Sequence, residues 1–406
     1  MVTYRYTAKD AVSGKAVKGS VEAENENSAT KMVRAQGLTV LELTPKGAGD
    51  ANIVDRLLNR VKAKDKVIFS RQLSTLINAG LPLVQSLRTV MSQTKNKKLS
   101  AVIGQVINDV EGGKALSVSL EKHPSIFNQV YTSLVAAGET SGTLDKALER
   151  LANQQEKDAE LASKVRGALI YPVIVLLVMG GVVGFMVVAV LPQVKELYKG
   201  LPGTNLPFVT RLLLAISDFT IRFWWLVLIL VAIAAFFTTR WARTMGGKRA
   251  IDTAKLNMWP ISGLFKKLYM ARFTRTGTTL VASGVPLLQT MQVTSRAIDN
   301  VLIEESVVKA AEKVKGGKSL SESIGGDPYF LDLVPQMIKI GEDSGSLEQM
   351  LDRTAVYYEK EVDNEVKAIS TVIEPVLMIV LGIVSLVIVG AILLPIYGLV
   401  GSGALR

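Results

Sequence analysis

Few residues in this chain are of a type that could do chemistry, and their spacing restricts what they could do. The chain has no cysteine and a single histidine, His123. These counts exclude disulfides, thiol chemistry and a Cys/His metal cluster. His123 precedes Pro124 without a second histidine as a partner, so we interpret it as a turn residue. We predict no catalytic residue, no cofactor and no metal ion.

A Gly-Gly-Lys sequence occurs twice, at residues 112–114 and 316–318, and resembles the end of a phosphate-binding loop. Such a loop needs an earlier glycine, so that backbone amides can surround the phosphates. Asn108 and Glu312 occupy that position, and a helical pattern precedes each of them. We therefore interpret both sequences as joints between two helices and not as nucleotide sites.

The strongest paired signal is Gly-Glu-x-Ser-Gly-x-Leu, at residues 138–144 and 341–347. Its glycines permit a positive φ at the end of one helix, and serine or threonine can cap the next. These features explain a turn but do not require the glutamate. Two hypotheses stay open, namely an architectural turn and a polar contact of the glutamate with another helix, a subunit or an ion. The candidate contact residues are Glu139, Glu342, Gly142 and Gly345.

Three segments without a charged residue predict that the chain spans a membrane. They are residues 167–194, 223–239 and 375–400. Because about 20 helical residues cross a ~30 Å hydrocarbon core, the first and third are long enough. The second is short, and its alternative interpretation is a buried core helix. Arg222 and Arg240 flank it, however, and can extend to the headgroups.

The predicted spans themselves carry no ionisable side chain. Transporters and pumps generally keep charged or polar relays inside the membrane, so this composition argues against a substrate path. Gly180, Gly181 and Gly184 instead predict a small-residue surface for close packing of membrane helices.

The distribution of positive charge predicts the orientation of the chain. Its net charge is +11, and residues 239–275 hold nine Lys/Arg but one acid, whereas residues 192–222 hold four Lys/Arg and two acids. Since positive charge marks the cytoplasmic side, we predict a cytoplasmic N-terminus and an extracytoplasmic C-terminus, and we expect no signal peptide. A basic segment could bind nucleic acid. This one adjoins a span without interleaved aromatics, so we predict attraction to anionic lipid headgroups of the bilayer.

The first 47 residues differ in pattern from the rest and predict a small α+β appendage. Alternating apolar residues separated by a Ser-Gly turn are typical of a hairpin, and a helical segment stopping at glycine follows them. The predicted order is strand 2–6, turn 13–14, strand 17–23, helix 28–36, strand 38–43 and linker 46–51.

The remainder of the chain is duplicated. A shift of 204 residues aligns Phe69 with Phe273 and Pro124 with Pro328, and after one deletion a shift of 203 aligns Gly138 with Gly341. The repeats run over residues 69–192 and 273–395, and such self-similarity indicates two copies of one structural unit. Each unit is a helical bundle followed by a span.

The unrepeated segment 223–239 is then the return crossing that two parallel copies require. We predict a mainly α integral membrane protein, with two homologous cytoplasmic bundles, three transmembrane helices and the small α+β appendage. The predicted divisions are appendage 1–47, bundle 52–167, span 168–193, extracytoplasmic loop 194–221, span 222–240, bundle 260–372 and span 373–400.

These features together resemble one known family, the inner-membrane platform proteins of type IV pilus and type II secretion machines (the GspF/PilC family). The resemblance covers essentially the whole chain. It depends on the tandem helical modules, the Gly-Glu-x-Ser-Gly-x-Leu turn in both, the sequence Lys-Val-Arg-Gly-Ala-Leu-Ile-Tyr-Pro at residues 164–172, and Leu191-Pro192 after the first span.

The resemblance implies a non-enzymatic role at the base of the machine. Its members couple a cytoplasmic hexameric assembly ATPase to the polymerisation of pilin or pseudopilin subunits, beside other inner-membrane assembly proteins. It also implies a homo-oligomer, expected to be a dimer, in the bacterial inner membrane. Two alternatives from other classes are a transporter or channel subunit, and a membrane enzyme. Pilus assembly and type II secretion both stay open.

Overall fold

The computed structural model describes residues 2–10, 16–23, 26–35, 37–45, 60–193, 196, 208–258 and 261–401. The chain divides into two compact units. One unit consists of Met1–Asp65 with Met91–Ile103, and the other of Lys66–Val90 with Gly104–Arg406. The predicted turn at 13–14 and linker at 46–51 lie outside the described residues.

The N-terminal segment forms the predicted strand–helix–strand arrangement. Strands β1 (Val2–Asp10), β2 (Ala16–Ala23) and β3 (Leu38–Pro45) make an antiparallel sheet in the order β2-β1-β3, and helix α1 (Glu26–Ala35) lies between the last two strands in sequence. Tyr6 pairs with Gly19 on the neighbouring strand. A Cβ on residue 19 would lie 2.5 Å from the Tyr6 hydroxyl, so only glycine leaves room for the Tyr6 ring. The small core of this segment consists of Tyr6, Ala8, Val21, Ala23, Ala29 and Val33.

Two series of six helices follow the same order and confirm the predicted duplication. In each series a long first helix precedes helices of 11 and 15 residues and a short one of five or six, then one of 12 or 13 residues, and then a very long one. The first series is α2 (Ala63–Asn78), α3 (Leu83–Gln93), α4 (Lys97–Glu111), α5 (Leu116–Glu121), α6 (Gln129–Ser141) and α7 (Leu144–Phe185).

The second series begins after three intervening helices and ends near the C-terminus. Glycines with positive φ separate equivalent helices in both series, including Gly113 (86°) and Gly317 (90°). Both Gly-Gly-Lys sequences are therefore helix–helix joints, as predicted. The series is α11 (Ser262–Ala282), α12 (Leu287–Ala297), α13 (Val301–Lys315), α14 (Leu320–Ile324), α15 (Leu333–Ser344) and α16 (Leu347–Gly401).

An aromatic pair recurs in both modules, although the sequence analysis did not identify it. The ring of Phe69 lies 5.6 Å from that of Phe127, and the ring of Phe273 lies 5.1 Å from that of Phe330. All four side chains are buried. Because Phe127 and Phe330 are equivalent at a shift of 203, the one-residue deletion falls between Pro124 and Phe127. Full burial of such a ring contributes roughly 1.5–3 kcal/mol.

The last helix of each module continues into a predicted span. Helix α7 has 42 residues with Pro172 inside it, and α16 has 55 residues. Among the residues that the structure describes, three helices are long and apolar enough to cross a membrane, in agreement with the three predicted spans. Five residues of π-helix, Met186–Val190, follow directly after α7. The last helix of each bundle and the span that follows it therefore form one continuous helix.

The segment between the first two spans differs from the loop predicted over 194–221. Its second part forms helix α8 (Phe208–Arg222), directly before α9 (Trp224–Trp241) and α10 (Met245–Asn257). Leu214 and Ser217 of α8 are buried, and the Ser217 hydroxyl donates to the Val187 carbonyl in the π-helix. The hydrophobic pattern of residues 208–222 did not distinguish α8 from a loop, because one short apolar helix beside a span has no distinct sequence signal.

Candidate functional site

The Gly-Glu-x-Ser-Gly turn joins the last two helices of each module at very short range. Gly142 and Gly345 end α6 and α15 in the left-handed conformation, with φ of 68° and 66°. A Cβ on Gly138 would lie 2.5 Å from the Ala147 Cβ, and one on Gly341 would lie 2.8 Å from the Leu347 Cα. The first glycine of the motif is therefore required for close helix packing, and the second for the turn.

The glutamate of the motif caps another helix of the same chain. Glu139 accepts hydrogen bonds from the Leu116 amide (2.5 Å), the Ser117 amide (3.0 Å) and the Ser117 hydroxyl (2.5 Å) at the start of α5. A carboxylate at a helix N-terminus satisfies unpaired amides and interacts favourably with the helix dipole. This contact ties the turn to the Gly-Gly-Lys joint, two motifs that lie more than 20 residues apart in sequence.

The same cap is present in the second module. Glu342 accepts from the Leu320 amide at 2.6 Å, and from the Ser321 amide at 3.2 Å and its hydroxyl at 2.5 Å. Here Ser319 also caps α14 through the Glu322 amide. Both glutamates are half-buried, and Gly142 and Gly345 are exposed. A contact of these four residues with a partner or subunit stays a prediction.

Loss of this carboxylate should cost the first module more than the second. Ala115, at the N-cap of α5, has no side-chain oxygen, whereas Ser319 still caps α14. We expect Glu139→Ala to lower the free energy of unfolding by about 2 kcal/mol and Glu342→Ala by about 1 kcal/mol. Thermal unfolding of the two purified variants checks the order, and a smaller loss for Glu139→Ala than for Glu342→Ala contradicts it.

Repeated ion pairs connect the first and last helices of each module. In the first module Arg71 donates to both carboxylate oxygens of Glu156, at 2.6 and 2.5 Å. The equivalent Arg275 donates to Glu359 at 2.7 Å and to Asp352 at 2.6 Å. The hydrogen bond from Arg71 lowers the pKa of the Glu156 carboxyl. Arg71 thus holds one carboxylate with two hydrogen bonds, whereas Arg275 bridges two carboxylates, and both contacts join the first helix of a module to its last.

The two modules also contact each other within the chain. The Arg150 guanidinium on α7 donates to the Ala282 carbonyl at the end of α11, and Lys164 pairs with Asp363 on α16 at 2.7 Å. Between these contacts, the Gln154 amide oxygen accepts from the Thr279 hydroxyl at 3.1 Å. Apolar side chains complete the contact, namely Leu161, Leu264, Leu268, Val362 and Ile369.

A cleft of about 830 Å³ opens beside this contact. It is lined by cationic, anionic and hydroxyl side chains from both modules, including Arg150, Lys157, Arg275 and Asp352. Arg275 is already paired with two carboxylates, and Arg150 donates to a carbonyl. No group of three or more His, Asp or Glu that could hold a metal ion occurs in the ranges that the structure describes.

Asp158 is an acid in the region where the modules meet, and the sequence analysis did not single it out. Burial raises the pKa of its carboxyl, against the opposing charge of Arg272 and a hydrogen bond from Gln154. Because the folded state binds this proton more tightly than the unfolded state, stability falls as the pH rises above the ordinary pKa of aspartate.

Removing this charge should stabilise the protein at neutral pH. We expect Asp158→Asn to raise the Tm at pH 7, and we expect the difference from wild type to vanish below about pH 3, where the carboxyl is protonated in both states. Glu160→Gln on the same helix is the matched control. Lys164 lowers the pKa of Glu160, so that variant should be slightly less stable at pH 7. A lower Tm for Asp158→Asn at pH 7 contradicts the assignment.

The predicted small-residue surface faces away from the described part of the chain. A Cβ on Gly180, Gly181 or Gly184 would meet no atom within 4 Å. Large apolar side chains on the spans are also exposed, such as Leu177 at 70% and Leu386 at 74%. Close packing on these glycines stays a prediction.

Several of the basic residues predicted to face the membrane instead pair with acidic residues of the second module. Lys248 lies 3.4 Å from Asp299, Arg249 lies 2.9 Å from Glu305, and Lys267 contacts Glu361 and Glu365. Arg240 and Arg243 remain exposed near the end of α9. Attraction to lipid headgroups stays a prediction, and fewer basic side chains are free for it than the sequence alone suggested.

Fold and contacts define a class: a polytopic membrane protein in which a helical module and its span occur twice. The family described as "Type II secretion system (T2SS), protein F" matches residues 69–192 and 273–395, and the N-terminal domain of the same family matches residues 1–44. The two matched ranges coincide with the repeats found in the sequence. The chain belongs to this family of secretion and pilus platform proteins.

Curated relatives span nearly the full length. A type IV pilus assembly protein PilC of Thermus thermophilus is 40% identical over 99% of both chains. A PilC of Myxococcus xanthus is 34% identical over 96% of this chain and 93% of its own. A type II secretion system protein F of Xanthomonas campestris is 34% identical over 99% and 100%. None of these names is that of an enzyme, and family and apolar helices together support an inner-membrane protein.

Proposed function

We propose that the protein is an inner-membrane platform that couples a cytoplasmic assembly ATPase to pilin polymerisation in type IV pilus biogenesis. The observation that carries this proposal is the continuity of α7 and α16 from folded bundle into apolar span. A force applied to a bundle is transmitted along such a helix without an intervening loop. The support for the pilus system is the 40% identity to one pilus protein, whereas a second pilus protein and a type II secretion protein are each 34% identical.

The orientation belongs to the same proposal. Both bundles lie on the cytoplasmic side, where they contact the hexameric ATPase, and the exposed apolar faces of the spans contact pilin helices, lipid and other inner-membrane assembly proteins. The support is the excess of Lys and Arg after the second span. Because the chain lacks cysteine, single cysteines report orientation without background. A cysteine at Val308 should react with a membrane-impermeant maleimide only after cell lysis, and labelling of intact spheroplasts rules the orientation out.

Deletion of the gene tests the function directly. We expect loss of surface filaments, restored by the wild-type gene and accompanied by normal pilin levels. If filaments persist while a secreted protein accumulates in the periplasm, the chain serves type II secretion instead. If both processes continue in the deletion strain, the platform role is wrong. Ion or solute flux through liposomes that contain the purified protein would support the transporter alternative.

A further inference from the structure

The contact between the two modules of one chain uses different faces of equivalent helices. From the first module it uses Arg150 and Gln154 of the last helix, α7. From the second module it uses Thr276, Thr279 and Ala282 of the first helix, α11. Gln154 and Thr279 are 3% and 7% exposed. The contact is therefore heterologous, since the face given by one module differs from the face given by the other.

The duplication supplies a second copy of each face. Arg353 and Tyr357 on α16 stand where Arg150 and Gln154 stand on α7, and Thr75 and Asn78 on α2 stand where Thr279 and Ala282 stand on α11. All four of these counterparts are exposed, and Tyr357 is 49% exposed. Arg353 has no hydrogen bond or ion pair with any residue that the structure describes.

We propose that a second copy of this chain docks its α2 on the exposed face of α16, repeating between chains the contact that joins the modules within one chain. A heterologous contact leaves one unused face of each kind. These faces keep the arginine and the threonine of the intrachain contact as Arg353 and Thr75, whereas Tyr357 replaces Gln154 and Asn78 replaces Ala282. Arg353 would donate to the carbonyl at the C-terminal end of the incoming α2, where helix carbonyls lack partners and the dipole favours a cation. Tyr357 supplies the aromatic side chain typical of interface centres.

The membrane-proximal part of the intrachain contact does not recur. Leu161 is replaced by Asn364 in the second module, and Leu264 and Leu268 are replaced by Arg60 and Lys64 in the first. The proposed interface is therefore limited to the two helical turns around Arg353 and Tyr357. A contact of that size favours an association that depends on concentration in the membrane, and not an obligate one.

Cysteine cross-linking of the full-length protein in its native membrane tests the docking. Thr75→Cys and Tyr357→Cys are placed in two differently tagged chains that are co-expressed, and a short bis-maleimide is added. Gln154→Cys with Thr279→Cys in one chain is the positive control, because their parent side chains touch. The matched control for random collision uses Val308→Cys in place of Thr75→Cys, because Val308 is 46% exposed.

We expect a covalent heterodimer from the Thr75→Cys and Tyr357→Cys pair. Arg353→Glu in the Tyr357→Cys chain should lower the yield about tenfold, which corresponds to about 1.4 kcal/mol. Absence of the heterodimer while the positive control links fully overturns the proposal. An equal yield when Val308→Cys replaces Thr75→Cys also overturns the proposal. Self-linking of either single variant at the same level overturns it too, because it indicates an isologous contact. These outcomes do not depend on which machine the protein serves.

Discussion

Replacement of Gly138 by alanine should destabilise the first module by about 3 kcal/mol, with a fall of roughly 5 °C in Tm. The added methyl group would lie 2.5 Å from the Ala147 Cβ and 3.1 Å from the Leu144 Cα. Neither atom belongs to a flexible side chain, so α6 and α7 must separate to accommodate it. That separation would also draw Glu139 away from the start of α5, because Glu139 is adjacent to Gly138 in sequence.

Gly181→Ala is the matched control, since both glycines lie inside helices and a Cβ on Gly181 meets nothing within 4 Å. Alanine is the better helix former by about 1 kcal/mol, so this variant should be as stable as wild type or more so. Circular dichroism of the purified proteins measures both. If Gly138→Ala has the same Tm as wild type, α6 and α7 do not approach each other as closely as the structure shows. Loss of function in a stable Gly181→Ala variant would support the predicted packing surface.

Interrupting α16 at the junction of bundle and span should abolish filament assembly while the protein still folds. Three glycines inserted between Ile373 and Glu374 remove the rigid connection, since glycine destabilises a helix interior by about 1 kcal/mol per residue. We expect normal amounts of protein in the membrane, an unchanged Tm of the bundles and at most a few per cent of wild-type filaments. Electron microscopy of the cells counts the filaments.

Two further insertions separate continuity from other effects. Seven alanines at the same position keep the helix and nearly its rotational phase, because 3.6 residues make one turn. That variant should retain more filaments than the glycine variant. Three glycines after Gly326, in the exposed turn before α15, should leave assembly intact. Wild-type filaments in the variant interrupted at Ile373 would show that force does not pass along α16.

The sequence by itself determined the duplication, the number of spans and the family resemblance. Each depends on a signal that is local or periodic. An uncharged run of 26 or more residues at 167–194 or 375–400 has few structural interpretations other than a membrane helix. Identities kept in register over about 120 positions require a repeat, whatever the fold of the unit. The N-terminal sheet was predicted for the same reason, because strand alternation and the glycine at position 37 are local.

Only the tertiary structure decided what the repeated motifs do. Glu139 lies more than 20 residues from the amides it caps, and no sequence pattern connects a turn to the start of a helix at that distance. The same holds for the pairing of Phe69 with Phe127, of Arg71 with Glu156, and for the burial that raises the pKa of Asp158. Each depends on how helices from distant parts of the chain approach one another.

The duplication that the sequence made plain also concealed an asymmetry. Identical residues such as Arg150 and Arg353 stand at equivalent places in the two repeats, yet one is engaged in the contact between modules and the other is exposed. Equivalence in sequence fixes local conformation, since local hydrogen bonds and packing are the same in both copies. It does not fix surroundings, because the contact between the two copies in this chain covers a different face of each.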